Sequence, residues 1–184
     1  RQLDYHIVGV THDKDGIPQY KRSAFLRNSR DFGVPQNRPR VYIVAFSRAY
    51  FGQHISLLPE EAPTKRSRTP VFKSLADVLD KKVDSRFFLS SGYLDTLEKH
   101  IVTQHKKGYG FGYCIVNAPE IETPIANTLL ATGGSGRERN LIYDPINGAS
   151  CAGTSIKGKY SPINDKFIRT MTPNEWGRLQ GFVG

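Results

Sequence analysis

Asp31–Arg40 reads DFGVPQNRPR and places two guanidinium groups, Arg38 and Arg40, two residues apart. In an extended chain that spacing projects both to one face, with Gln36 beside them. Pro39 removes the amide between them, so this is not an ordinary central ladder position. Such a fork can hold a phosphate or a base carbonyl oxygen. The competing reading is a pair of surface arginines, which spacing alone slightly favours. A second cluster is KKGYGFGYC, from Lys106 to Cys114. Lys107 can hold a phosphate, and Tyr109 and Phe111, flanked by glycine, can stack on bases. The plain alternative is a glycine-rich turn whose aromatics pack in the core. A third cluster is TLLATGGSGRER, from Thr128 to Arg139. Gly133, Gly134 and Ser135 make a tip able to approach a ligand closely. Arg137 and Arg139, just behind it, suit the O6 and N7 atoms of guanine. Here the alternative is an Arg–Glu–Arg ion-pair group on a turn. Neither glycine run is a nucleotide fingerprint. The first is G-x-G-x-G rather than G-x-G-x-x-G, and the second lacks a closing Gly-Lys-Ser/Thr.

These groups need elements to hold them. Tyr5 to Val10 reads as a strand, Arg22 to Arg27 as a second, and Arg40 to Phe46 (RVYIVAF) as a buried strand. Close β segments with no long helix point to part of a sheet from an α/β domain. Gly52 to Pro70, with its prolines and the basic run from Lys65 to Arg68, reads as a linker. Ser74 is placed to cap a short helix through Asp80. A longer helix is predicted over Gly92 to His105, with Leu94, Leu97 and Ile101 as its core stripe. Strands are predicted over Tyr113 to Val116, Ile125 to Leu130 and Asn140 to Tyr143, then loops and one short strand over 145–166. Thr172-Pro173-Asn174-Glu175 is a capping box with proline at the first helical position. Met171 and Trp176 can staple its start, and Gly181 is placed to end it.

The chain has 184 residues, enough for one large domain or a small domain plus the edge of another. It is 38% hydrophobic, which excludes disorder over most of its length. Its net charge of +9 makes a polyanion the natural partner, nucleic acid first and an anionic membrane second. Residues 1–50 hold nine Lys/Arg against four Asp/Glu, so more than half of that excess lies near the arginine fork. No run approaches the ~18 apolar residues of a membrane span. Cys114 and Cys151 have neither C-x-x-C nor zinc spacing, and suit a reducing cytoplasm. The chain does not begin with methionine and reads as a piece of a longer one.

In this order, the segments resemble the C-terminal half of a DNA cytosine-5 methyltransferase of the bacterial restriction–modification type. FGVPQNRPRVYIVAF is similar to the family's eighth motif, Gln-x-Arg-x-Arg followed by an apolar strand. RTMTPNEWGRLQGF, from Arg169 to Phe182, is similar to the ninth, Arg-x-Leu-Thr-x-x-Glu-x-x-Arg-Leu-x-Gly-Phe. Met171 replaces the usual leucine, and Val183 stands where proline commonly follows. Arg169, Thr172, Glu175, Arg178 and Gly181 match that motif's structural positions. Between the two motifs the family places its target recognition domain, with a Thr-Leu pair matched here by Thr128-Leu129.

The resemblance implies the edge strands of a Rossmann-like methyltransferase domain plus a small, mixed, loop-rich recognition domain. The expected boundaries are 1–49 for the catalytic edge, 50–168 for the recognition domain with its linker, and 169–184 for the motif-nine helix. It implies an enzyme that flips cytosine out of duplex DNA. In the family a cysteine thiolate attacks carbon 6, and carbon 5 takes a methyl group from S-adenosylmethionine. Arg40 is then the expected contact to the cytosine carbonyl oxygen, Arg38 the support or phosphate contact, and Thr128 the contact to the adjacent phosphate. Tyr109, Phe111, Arg137 and Arg139 would enter the major groove. Double-stranded DNA and a missing N-terminal catalytic half, in the same chain or less commonly a separate subunit, are the expected partners. The expected location is the bacterial cytoplasm, at the nucleoid. No Phe-x-Gly-x-Gly, Pro-Cys-Gln or Glu-Asn-Val occurs in the 184 residues, so these alone are expected neither to hold the cofactor nor to methylate. Two rivals stand beside this reading: a DNA-binding module without catalysis, and a nucleotide-binding domain on Gly108–Gly112, which requires a strand before that loop.

Overall fold

The computed structural model describes residues 4–65, 69–109, 113–129 and 137–182, with Arg137 described through its backbone only. The chain divides into two compact units, residues 1–33 with 38–70, and residues 34–37 with 71–184. Both are built from very short strands, 3-10 turns and few helices, giving a mixed α/β fold with small sheets.

Among the described residues the first unit contains three antiparallel pairs. Tyr5–Ile7 pairs with Ala45–Ser47, Val10–His12 with Pro18–Tyr20, and Leu26–Asn28 with Pro39–Val41. The strand predicted over Tyr5 to Val10 is broken at Gly9, where φ is +87° and an added Cβ would lie 3.0 Å from that of Ala24. That conformation and that approach both call for glycine. The strand predicted over Arg22 to Arg27 is instead a 3-10 turn, Arg22–Ala24, followed by Leu26–Asn28. A short helix, α1 (Arg48–Phe51), follows the last strand, capped by the Ser47 side chain.

The buried strand expected over Arg40 to Phe46 needs correction. It is two separate strands with Tyr42, Ile43 and Val44 between them. Val41 is 67% exposed and Ile43 69%. Apolar content reports a preference for β structure, but burial needs a second layer, and among the described residues this run is left exposed. Gly52 to Pro70, read as a linker, packs within this unit. Gly9 N–H donates to Glu60 O (2.8 Å), and the Arg27 guanidinium donates to Ala62 O (2.7 Å) and Pro63 O (2.5 Å).

The second unit contains the long helix α2 (Ser91–Lys106), with Leu94 and Leu97 buried as the predicted stripe requires. Burying each contributes roughly 1.5–3 kcal/mol. They join Leu89, Leu141 and Ile168 in one core cluster, while Leu75, Val78, Val116, Ala126, Ile142, Met171 and Leu179 form another. Strand pairing is minimal: Gln36–Asn37 lies parallel to Ala126–Asn127, and Ile142–Tyr143 antiparallel to Ile168–Arg169. The strand predicted over Tyr113 to Val116 is reduced to one bridge, Ile115 to Leu141.

Asparagine side chains supply what these ladders lack. A carboxamide carries one acceptor and two donors, so it can bond a peptide's N–H and C=O together. Asn117 does this to Tyr143 (2.8 and 2.9 Å), and Asn164 to Ile168 (2.9 and 2.8 Å). Asn140 does it to Asn127 (2.6 and 3.3 Å). Short helices close the unit: α3 (Pro145–Gly148), capped by Asp144, and α4 (Pro173–Leu179). The capping box at Thr172 and Glu175 is formed, and Gly181 follows α4 at φ +86°. Met171 and Trp176 pack in the same cluster, as a hydrophobic staple would.

Candidate nucleic-acid interface

In the first unit, the arginine fork sits on the strand Pro39–Val41 and the residue before it. The backbone of Arg38 is held by Asn28: its N–H donates to Asn28 Oδ1 (2.9 Å), and its carbonyl accepts from Ser29 N–H (3.3 Å). Arg40 lies opposite Arg27 across the strand pair. Like charges directly opposite repel, and the two side chains have different fates. Arg27 turns its guanidinium onto four backbone carbonyls, of Ser23, Leu26, Ala62 and Pro63. Arg40 is exposed, donates to Pro39 O (2.7 Å), and forms no ion pair among the described residues. A guanidinium has five N–H donors, so Arg40 keeps most of its capacity for a ligand.

Gln36 does not share that face. It belongs to the second unit and is fully buried, donating through Nε2 to Asn127 O (3.3 Å). A side chain without exposed surface fixes its strand rather than reaching DNA. The parallel pairing of Gln36–Asn37 with Ala126–Asn127 brings the first part of motif eight against the Thr-Leu pair. There Thr128 Oγ1 donates to Asn37 O (2.6 Å). A hydroxyl has one proton, so Thr128 must turn away from Asn37 to donate to a phosphate. Leu129 follows it, half-buried.

Residues 137–140 form a 3-10 turn. It is held on every side. Glu138 O accepts from Cys114 N–H (2.7 Å), and Glu138 Oε1 from the Tyr93 hydroxyl on α2 (2.6 Å). Arg139 O accepts from Asn127 Nδ2 (2.8 Å), while the buried Asn140 clasps the Asn127 backbone. Three hydrogen bonds thus join the residue before Thr128 to the pair Arg139-Asn140, closing the base of the glycine–arginine loop. The Arg139 side chain remains exposed, without an ion pair among the described residues. Gly133, Gly134, Ser135, Phe111 and the side chain of Arg137 lie outside the described residues.

Lys107 caps the C-terminus of α2, after His105 and Lys106. Cations are favoured at that end of a helix dipole. Gly108 follows at φ +74°, and Tyr109 is 66% exposed, its N–H returning to Gln104 O (3.0 Å). A helix, not a strand, precedes this loop, which removes the support for a nucleotide-binding domain built on it.

Motif nine forms a buried ionic scaffold. Arg169, fully buried, donates from Nε to Asp144 Oδ2 (2.7 Å) and from Nη1 and Nη2 to the two oxygens of Glu175 (both 2.8 Å). Glu175, also fully buried, accepts further bonds from Thr172 N–H (2.7 Å) and Asp80 N–H (2.8 Å). Asp80 accepts from Thr172 Oγ1 (2.5 Å) and Arg178 Nη1 (2.8 Å). Burial alone would raise the Asp80 pKa. The bonds from Thr172 and Arg178 and the charges of Arg178 and Arg169 outweigh burial and hold it below its ordinary value. Burial lowers the Arg169 pKa, but its two carboxylate partners outweigh this and raise it.

The first unit thus presents an exposed Arg40 beside a half-buried Arg38, and the second a clasped loop with an exposed Arg139 and a buried ion network. Comparison with known proteins gives that description a family. The sequence profile of the C-5 cytosine-specific DNA methylases matches residues 12–183. The chain is 42% identical over 156 residues to the type II methyltransferase M.HpaII of Haemophilus parainfluenzae, covering 84% of this chain and 39% of that protein. It is 31% identical over 155 residues to M.SsoII of Shigella sonnei (84% and 33%), and 28% over 163 residues to M1.ScrFI of Lactococcus lactis subsp. cremoris (89% and 35%). The chain belongs to the C-5 cytosine-specific DNA methylase family. It spans 33–42% of the length of these relatives and two others.

The residues that position the loop were not among those the sequence singled out. Asn127 and Asn140 bracket the conspicuous glycines and arginines, and Tyr93 reads as a helix-surface residue. Only their proximity to the loop in sequence marks the two asparagines.

Proposed function

We propose that this chain is the DNA-recognition part of a site-specific DNA (cytosine-5) methyltransferase acting within a bacterial restriction–modification system. The observation that carries the proposal is the family match across residues 12–183, joined to the clasp that sets Thr128 and Arg139 in one rigid assembly. The first unit contributes edge strands to a Rossmann-like catalytic domain. The exposed apolar run Val41 to Val44 supports this, because it has the character of an interior strand awaiting its neighbours. The partner that covers it is the N-terminal catalytic half, in the same chain or a separate subunit. The second unit is the recognition domain, with the motif-nine helix as its buttress.

On flipping of the target cytosine into the active site, Arg40 donates to the base carbonyl oxygen and Arg38 supports the strand beneath it or contacts phosphate. Thr128, beside Leu129, turns its hydroxyl to the phosphate next to the flipped nucleotide. Arg137 and Arg139 read guanine edges, the glycine–serine tip allows close approach, and Lys107, Tyr109 and Phe111 approach the duplex from the other loop. The methyl donor, S-adenosylmethionine, finds no donor set in motif nine. Arg169 and Glu175 spend their hydrogen bonds on Asp144, Thr172, Asp80 and each other. We assign cofactor binding and the nucleophile to other segments of the whole enzyme, because the 184 residues contain no Phe-x-Gly-x-Gly or Pro-Cys-Gln; that enzyme works in the bacterial cytoplasm at the nucleoid.

The whole protein is expected to transfer labelled methyl groups from S-adenosylmethionine to duplex DNA, and the 184-residue chain alone is not. Arg40→Ala in the whole protein should depress methyl transfer with little change in sequence choice. Arg137→Ala should weaken discrimination by roughly 1–3 kcal/mol. Methylation by the short chain, or identical binding of all sequences by both variants and wild type, overturns these assignments.

A further inference from the structure

Residues 154–163 form a closed loop with an unassigned tip. Its ends are pinned together: Gly153 N–H donates to Ile163 O (3.0 Å) and Ile163 N–H to Thr154 O (2.9 Å). The returning arm is fastened to the start of α2, where Ser91 N–H donates to Pro162 O (2.8 Å) and Gly92 N–H to Ser161 Oγ (2.9 Å). Space is tight at that junction, since a Cβ on Gly92 would lie 3.1 Å from Ser161 Oγ. Within the loop, Lys159 N–H closes a turn on Ile156 O (3.1 Å), with Gly158 at φ +89°. The loop is therefore held at its stem and at its tip, yet the tip carries Lys157, Lys159 and a Tyr160 that is 108% exposed.

A fully exposed tyrosine on a braced loop has no packing role. The charges beside it are also uncompensated. From Pro145 to Asn164 the sequence contains two lysines and no acidic residue. Among the described residues neither lysine forms an ion pair, whereas the next lysine, Lys166, is bonded to Glu98 (2.7 Å). Burial holds the Lys159 pKa below its ordinary value. An anion bound there would favour its charged form. Two cations and a phenolic donor on a preformed turn match the spacing-tolerant chemistry of sugar–phosphate contacts, and offer no amide pair for reading a base edge.

We infer that the tip Lys157–Tyr160 is an additional DNA-binding site that grips the phosphate backbone of the duplex flanking the recognition sequence. The inference rests on the proposed DNA-recognition function and deepens it: the tip adds affinity and register without adding sequence information.

The test uses the full-length methylase, fluorescence anisotropy and two duplexes carrying the same site, one with long flanks and one trimmed close to it. Each lysine that neutralises a phosphate contributes about 0.9 to the slope of log affinity against log salt. The double variant Lys157→Gln/Lys159→Gln should therefore lower the slope by about 1.8 on the long duplex, and by nothing on the trimmed one. Between 50 and 200 mM salt, wild type should lose about twelve-fold more affinity than the variant. Tyr160→Phe, which deletes a neutral donor, should weaken binding about five-fold with an unchanged slope. Methylation sequence choice should be unaltered throughout. An unchanged slope in a folded variant that still methylates its site overturns the loop assignment while leaving the recognition function standing. An equal loss of slope on both duplexes overturns the flanking location. A wild-type enzyme that does not bind DNA overturns both the loop and the function beneath it.

Discussion

Asn140→Ala tests whether the asparagine clasp is what orients the proposed recognition loop. Asn140 is fully buried, and its side chain satisfies both the N–H and the C=O of Asn127. Truncation leaves the Asn127 N–H without a partner, while its carbonyl keeps the bond from Gln36 Nε2 (3.3 Å). An unsatisfied group costs about 1–3 kcal/mol. The bond lost at the carbonyl is long, at 3.3 Å, and adds little. A net local cost of about 1–3 kcal/mol follows. The amide of Asn127 should then open roughly 5- to 150-fold more often, measured by native-state hydrogen exchange. The amides of Val116 and Leu141, bonded to Leu141 O and Cys114 O, should change far less. In the full-length enzyme the variant should lose discrimination between its site and near-miss sequences, because Arg139 O is bonded to the same Asn127 that Asn140 holds. Non-specific affinity and its salt slope should hold, since no phosphate-binding cation is removed. The reasoning fails if exchange at Asn127 is unchanged, or if specific and non-specific binding fall together.

Three further outcomes are expected. Glu175→Gln halves the charge pairing of the buried Arg169 and should cost about 3–5 kcal/mol, read by urea unfolding, with little added loss when Arg169 is also replaced. The Asp80 carboxyl is held below its ordinary value of 3.8, so its stabilising contribution is complete above that value and is lost as pH falls through the folded one. The stability gap between wild type and Asp80→Asn should accordingly be constant from neutral pH to about 5 and close in stronger acid; a gap that widens there contradicts the assignment. Gly148→Ala should destabilise the second unit by about 1–3 kcal/mol in the same assay, because the new Cβ would lie 2.9 Å from Phe167 and from the Phe88 ring.

What the sequence revealed depended on how local the cause was. The capping box at Thr172 and Glu175, the stripe on α2 and the glycine after α4 involve residues within a few positions of each other, and all three are present. The apolar run from Val41 to Val44 shows where that logic stops. Its composition encodes extended structure, but exposure depends on whether another layer packs on it, and that is not encoded in the run itself. Arg169 marks a different limit. The ninth motif gives it a structural position, and its full burial depends on Asp144 and Glu175, which come to it from 25 residues before and 6 after. Motif spacing preserved the Glu175 partner and gave no sign of Asp144.

The asparagine clasps have the same character, and they bear most directly on function. Asn140 and Asn127 are 13 residues apart, and Asn117 and Tyr143 are 26 apart. No periodicity connects them, because a side-chain carboxamide needs no strand register to satisfy a peptide. That property suits a recognition domain. A continuous ladder ties each residue to a repeating partner, so inserting a residue shifts a whole strand face. A carboxamide clasp ties down a single peptide and leaves the chain between the clasped positions free in length and composition. The loop between Asn127 and Asn140 can therefore change the residues proposed to read DNA while Thr128, the proposed phosphate contact, keeps its place. Exchanging residues 129–137 for a loop of different length, sparing Glu138 and its bonds to Cys114 and Tyr93, should then transfer sequence preference while leaving the exchange protection of Asn127 intact. Loss of that protection in every such exchange would show that the loop holds the clasp, rather than the clasp the loop.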